Sequence, residues 1–226
     1  MAYRQTAAVE ARLQDNRTRI LRVARSLVSE GGWREAQVAS VAAAAGIATG
    51  TVYRYFPSKA ELFAEVLSAV SQREVDVLAE IAATHDSALG RLRSAVATFV
   101  RRAMRNPRLA YALIAEPCDK EIDEVRLVYR AAISEVIRAI VASGQSSGEM
   151  TPDMQPEIAA SVIVGGFMEG LIGPLSPLSR QQHQDTDDYQ REVAMLADQI
   201  ARLACASVSA SSASPATVRK LSRRPP

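Results

Sequence analysis

VASVAAAAGIATGTVYRYFPSKAELF, residues 38–63, reads as two short helices joined by a glycine turn, then a third helix with its own capping signal. The first runs over about Val38–Ala45, with Val41 facing inward and Ala42, Ala43 and Ala44 small enough for close helix approach. Gly46-Ile47 makes the turn, and the next helix covers about Thr49–Phe56 before Pro57-Ser58 stops it. Ser58 and Glu61 form an S-x-x-E capping box for a helix predicted to reach Ala83. Two short helices around a glycine turn outline a helix-turn-helix. The second of the pair would lie in the major groove of double-stranded DNA.

The residue chemistry fits that outline. Thr51, Tyr53 and Tyr55 offer hydroxyls to phosphate oxygens, and Lys59 puts a cation at a helix N-terminus, where backbone amides already favour anions. Such contacts position a protein on DNA without reading its sequence. Gly50 permits close approach, while Val52 and Phe56 face inward. Thr49 and Arg54 are free to reach base edges; Arg54 can bond a guanine bidentately, or only a phosphate. Each residue also has a plain reading: a packed Tyr53 ring, a solvated Lys59, a purely structural hairpin.

The segment resembles the N-terminal domain of the tetracycline-repressor (TetR) family of bacterial regulators. The shared pattern stands here as Ala45-Gly46-Ile47, Gly50-Thr51-Val52-Tyr53, Tyr55-Phe56, Ser58-Lys59 and Leu62. The likeness in residues is confined to about 16–63. It implies backbone contacts at Thr51, Tyr53, Tyr55 and Lys59. It further implies an all-α fold, with a three-helix N-terminal helix-turn-helix domain followed by a C-terminal helical domain for ligand binding and dimerisation. Two positions depart from the pattern: Gln37 replaces the usual Thr or Ser, and Ala48 the usual Ser. Gln37 can still donate to phosphate but caps poorly, and Ala48 cannot cap by its side chain. Ala39 has no reach for a base, so sequence choice would rest on the third helix.

Outward from this segment, Asn16 is expected to cap a helix ending near Glu30, with an apolar stripe of Ile20, Leu21, Ala24, Leu27 and Val28. Gly31-Gly32 ends it, and Trp33 plugs the small core. Further helices are predicted over about Ser87–Arg105, Arg108–Ala115, Asp119–Ser143, Pro156–Ile172 and Asp187–Cys205. The fifth of the helices after the turn carries the stripe Ile122, Val125, Val128, Ala132, Ile133, Val136, Ile137 and Ile140. Gly144–Gly148 read as a loop, Gly173-Pro174 and Pro177 as breaks, and Val193, Leu196, Ile200 and Leu203 as lying on one face of the last helix. The expected divisions are a flexible arm at 1–15, a DNA-binding domain at 16–65, an effector and dimerisation domain at 66–206, and a disordered basic Ser/Ala-rich tail at 207–226.

Charge follows the same division. Residues 1–65 hold 9 Lys/Arg against 6 Asp/Glu, residues 66–207 hold 14 against 19, and the tail holds 4 against none. Basic ends around an acidic middle fit nucleic acid bound at one end. Cys118 and Cys205 are far apart, so a reducing cytoplasm fits better than a disulfide framework. His85 and His183 are isolated, so neither a metal site nor a cofactor is expected. The opening MAYRQTAAVEAR lacks the apolar core of a signal peptide. The longest apolar run, Ile158–Met168, is too short to span a bilayer. No nucleophile–base pair or phosphate-cradling loop suggests an enzyme.

The helix over Ile158–Ile172 is apolar on nearly every side and rich in glycine, which points to burial against neighbours or a second copy of the chain. Helped by the resemblance, Val162, Gly165, Gly166, Glu169, Gly170, Leu196, Ile200 and Leu203 are expected at a homodimer interface. A small-molecule effector, mostly apolar, would meet some of Phe99, Met104, Tyr111, Tyr129, Phe167 and Met168, with Glu116 and Arg126 fixing a polar group. The expectation is a repressor released from a near-palindromic operator by that ligand. An activator of the same family and a helical protein-binding adaptor are the alternatives.

Overall fold

The computed structural model describes residues 7–177 and 186–210, and everything regular in them is helical apart from one isolated bridge between Met150 and Ser209. In chain order the helices are α1 (Ala7–Glu35), α2 (Val38–Ala44), α3 (Thr49–Tyr55), α4 (Lys59–Ala82), α5 (Ala88–Arg105), α6 (Pro107–Ile114), α7 (Lys120–Ser147), α8 (Pro156–Leu175) and α9 (Thr186–Val208). Their boundaries follow local chemistry. Ser58 Oγ accepts the amide of Glu61 at 3.0 Å, closing the first turn of α4 as the capping box requires. Asn106 caps α6, its Oδ1 accepting the Leu109 amide at 3.2 Å, with Pro107 at the first helical position. Gly148 ends α7 at φ 79°, a left-handed conformation that suits a residue without a β-carbon.

Two apolar cores organise the chain. The first gathers Ile20, Ala24, Val28, Trp33, Val41, Val52, Phe56, Leu62 and Phe63 from α1–α4, and it also takes Leu109 and Ala112 of α6 and Ile122 of α7. The second is built from α5, α7, α8 and α9, around Leu92, Val96, Phe99, Ile137, Ile140, Phe167 and Leu171. The helix-turn-helix core therefore rests directly on α6.

Several expectations change. Helix α1 starts at Ala7, so most of the expected arm is helical, and Asn16 lies inside the helix rather than capping it. Residues 1–6 lie outside the described residues. The chain does break at Gly32, whose φ of 77° is non-helical, and one more turn follows to Glu35. Gly144–Ser147 belong to α7 and not to a loop: a β-carbon at Gly144 would stand 2.6 Å from Met150 Sδ and 2.9 Å from Ala88 Cβ, so this glycine serves close packing. Helix α8 continues through Gly173-Pro174 to Leu175. Pro174 falls in its last turn, where it removes a single amide, and the Ser176 amide closes the end on the Gly173 carbonyl at 3.1 Å.

By length and composition α8 could cross a bilayer, yet one face is buried among its neighbours as in a core helix. Val128 and Leu203 point outward; the buried face of α9 is Val193, Ala197, Ala201, Ala204 and Val208. The last helix runs past the expected start of the tail to Val208. Thr151 then donates to the Val208 carbonyl at 2.9 Å, and Ala210 to the Glu149 carbonyl at 3.2 Å. The rest of the expected tail, 211–226, lies outside the described residues.

Candidate nucleic-acid interface

Helix α3 has a buried side and a bare side. Val52 and Phe56 are buried in the first core, whereas Thr49, Gly50, Tyr53 and Arg54 are exposed, with 46% of the Tyr53 surface open. These positions share one face of a helix by their spacing. Gly46 makes the turn before α3 at φ 65°, and a β-carbon at Gly50 would meet nothing within 4 Å, so the outward face has no side chain over its start.

The two departures in capping have visible effects. Gln37 and Ala48 both occupy N-cap positions in extended conformation, and neither makes a side-chain cap. The Ala48 carbonyl alone opens α3, accepting the Thr51 amide at 2.8 Å. The freed Gln37 side chain donates to the Arg34 carbonyl at 2.7 Å and accepts from Lys59 Nζ at 3.3 Å. Lys59, at the first position of α4, is thereby held beside the start of α2. Tyr55 and Thr51 are half-buried, and the Tyr55 hydroxyl accepts from Asn16 Nδ2 at 3.3 Å. Arg17 lies over the Phe56 ring, 5.0 Å from its centroid, and is ion-paired with Glu65. Asn16 and Arg17 thus brace α3 from α1. Their contacts span 39 residues or more, and no local spacing announces them.

Behind the interface, Trp33 Nε1 donates to the Ala112 carbonyl at 2.7 Å, and its ring meets Phe63 edge-on at 5.7 Å. Arg108 and Glu116 form a nearly buried pair at 2.7 Å, with Arg108 also donating to the Gly31 carbonyl and Glu116 accepting the Trp33 amide. A β-carbon at Gly32 would run into the Arg108 guanidinium.

The other face of α6 borders a cavity of about 370 Å³, walled also by α1, α4, α5, α7 and α8. Of the residues expected to meet a ligand, Phe99, Arg126, Tyr129 and Met168 line it. Met104, Tyr111, Glu116 and Phe167 do not: Glu116 is held by Arg108, Phe167 packs on Phe99 at 4.8 Å, Met104 is buried with its carbonyl taken by the Tyr189 hydroxyl, and Tyr111 lies beneath Arg108. Arg126 has its guanidinium on Asp123 and the carbonyls of Ala112, Leu113 and Glu116. Burial lifts the Cys118 thiol above its ordinary pKa, even with Arg126 Nη2 at 3.1 Å from its sulfur. Among the described residues no group of His, Cys, Asp and Glu is arranged to hold a metal.

Residues expected at a dimer interface lie on α8 and α9, which pack together. Val162 is 64% exposed, Glu169 and Gly166 are exposed, Gly165 is half-buried, and β-carbons at Gly165 and Gly166 would meet nothing. Gly170 lets Ile200 approach, a β-carbon there falling 3.4 Å from Ile200 Cδ1. Leu196 and Ile200 are half-buried against the second core, and Leu203 is 72% exposed.

Residues 20–66 match the family of bacterial regulatory proteins described as the tetR family. The chain is 36% identical over 101 residues to the HTH-type transcriptional repressor KstR of Mycolicibacterium smegmatis, covering 44% of this chain and 49% of that one. It thus spans about half the length of the curated relatives it matches. Among solved structures, FadR of Bacillus subtilis in complex with stearoyl-CoA superposes with a TM-score of 0.70 at 18% identity, covering 83% of this chain and 97% of that one. SmeT, the repressor of the Stenotrophomonas maltophilia multidrug efflux pump SmeDEF, gives 0.66 at 18% identity, covering 87% and 91%. At such identities the likeness is one of fold. Residues 20–66 thus form a helix-turn-helix segment of the kind shared by the tetR family of bacterial regulatory proteins.

Proposed function

We propose that this chain is a DNA-binding transcriptional repressor, acting in the cytoplasm as a homodimer on a near-palindromic operator and released by a small apolar or amphipathic ligand. The observation that carries the reading is the bare face of α3, where Thr49, Gly50, Tyr53 and Arg54 stand exposed above a buried Val52–Phe56 anchor. Residues 16–65 do the binding: Gln37, Thr51, Tyr53, Tyr55 and Lys59 grip phosphates, and Thr49 and Arg54 read bases. Residues 66–206 hold the ligand and the second copy. The outward faces of α8 and α9, around Val162, Gly166, Glu169 and Leu203, meet their equivalents in the partner. The cavity beside α6 supports the ligand half of the proposal, as does the bound stearoyl-CoA named for FadR. KstR and SmeT, both named as repressors, support the sign of regulation. The ligand must bind the released state more tightly than the DNA-bound one, since only differential affinity shifts an equilibrium.

The test is selection of bound sequences from random duplexes with the whole chain, followed by salt titration. A recovered palindrome, with affinity falling steeply as salt rises, is expected. Recovery of no enriched sequence, or binding indifferent to salt, overturns the proposal.

A further inference from the structure

The cavity between α1, α4 and α5–α8 has two chemically different ends. Its wall is apolar, with Phe99, Leu109, Ala110, Ile133 and Met168 all buried from solvent yet facing the empty space. Its remaining border carries six arginines and a single carboxylate, Glu74. Glu74 is spent on Arg102, which it meets with two bonds of 2.6 and 2.8 Å. Arg126 is spent on Asp123 and on backbone carbonyls. Arg25, Arg73, Arg105 and Arg130 are left with no carboxylate partner among the described residues. They come from four different helices, α1, α4, α5 and α7, so no local sequence pattern places them together. All four are solvent-exposed side chains on the border of one cavity, so the positive charge there favours an anion.

We infer that the ligand is an anionic amphiphile, its hydrocarbon body lying against Phe99, Leu109, Ile133 and Met168 and its carboxylate or phosphate head against Arg25, Arg73, Arg105 and Arg130. The inference rests on the proposal that this cavity is the effector site, and it narrows the effector's chemistry. A neutral hydrophobe uses only the wall, and a cationic one is repelled at the rim. A free fatty carboxylate and a phosphate-bearing thioester share the required features.

Isothermal titration of the whole chain, free of DNA, distinguishes them with four probes of one chain length: decanoate, decanoyl-CoA, decanol and decyltrimethylammonium. At least one anion is expected to bind about tenfold more tightly than decanol, and the cation least of all. The better anion identifies the head group. The double variant Arg105→Gln/Arg130→Gln, at exposed positions, should lose most of that advantage while binding decanol as before. Equal binding of decanol and the anions overturns the inference. If decanol then also releases DNA, the effector site itself stands. Binding of none of the four overturns it too, and leaves the DNA-binding half of the function to its own selection experiment.

Discussion

Lys59 Nζ donates to Gln37 Oε1 at 3.3 Å, joining the start of α4 to the start of α2 across 22 residues. The pair presents one ammonium and one amide on the same edge of the helix-turn-helix. If Lys59 neutralises a phosphate, Lys59→Ala should weaken binding to every duplex alike and reduce the slope of log K against log salt by about one. Arg54→Ala should instead relax preference at one base position, at a cost of about 1–3 kcal/mol. Fluorescence anisotropy on a panel of duplexes separates the two. An unchanged salt slope in Lys59→Ala would remove it from the phosphate contacts.

Gly46 and Gly50 divide folding from function. Gly46 has φ 65°, so Gly46→Ala is expected to cost about 1–2 kcal/mol although nothing crowds its β-carbon. Gly50 is helical and open, so Gly50→Ala should stabilise the fold by about 0.5 kcal/mol while weakening DNA binding, because a methyl then stands on the approaching face. Denaturant melts and gel-shift titrations on the two variants check both signs.

Breaking the Arg108–Glu116 pair should be costly, since both side chains are nearly buried. Glu116→Ala leaves Arg108 uncompensated and the Trp33 amide unbonded, at about 3 kcal/mol. Urea unfolding followed by circular dichroism measures it; a loss under 1 kcal/mol would show the guanidinium finding other partners.

Glu149 accepts backbone amides at the start of α5, which with a bond from Ser147 and the nearby Arg91 holds its carboxyl below the usual glutamate range. A depressed folded value stabilises the protein above the unfolded pKa of about 4.3, and that stabilisation is lost as pH falls further through the folded value. Glu149→Gln should therefore flatten part of the acid-side decline in melting temperature between about pH 5 and pH 3. Asp198 and Glu135, also lowered by arginine partners, account for other parts of it.

Val162 is the most central of the bare apolar side chains on α8, flanked one turn away by Ile158 and Gly166. Val162→Arg is expected to convert a dimer to a monomer in light scattering and to reduce operator affinity sharply, leaving the helical content unchanged. A dimer that survives this substitution must use another face.

Where one residue's chemistry sets a boundary, the sequence was legible. Ser58 and Pro107 act locally, and the register that buries Val52 and Phe56 while baring Thr49, Tyr53 and Arg54 follows from helical period alone. Glycines misled where their smallness serves contact instead of a turn, as at Gly144 beneath Met150. On α9 the fully buried residues are the small Ala197 and Ala201, which no stripe of large apolar residues announces, while Leu203 is bare. Half the expected ligand residues missed the cavity because aromatic side chains such as Phe167 and Tyr111 found partners within the core or on Arg108. The four arginines without a carboxylate partner among the described residues were invisible for the opposite reason, each lying on its own helix and reaching the cavity border only after packing.

Trp33 is the chain's only tryptophan, and its indole N–H is fastened to the same short helix whose opposite side borders the cavity. Any rotation of α6 that stretches the bond to Ala112, or shifts Phe63 from the ring edge, alters the polarity around that indole. The emission spectrum of the unlabelled protein is thus a built-in optical gauge of the mechanical link between cavity and reading head.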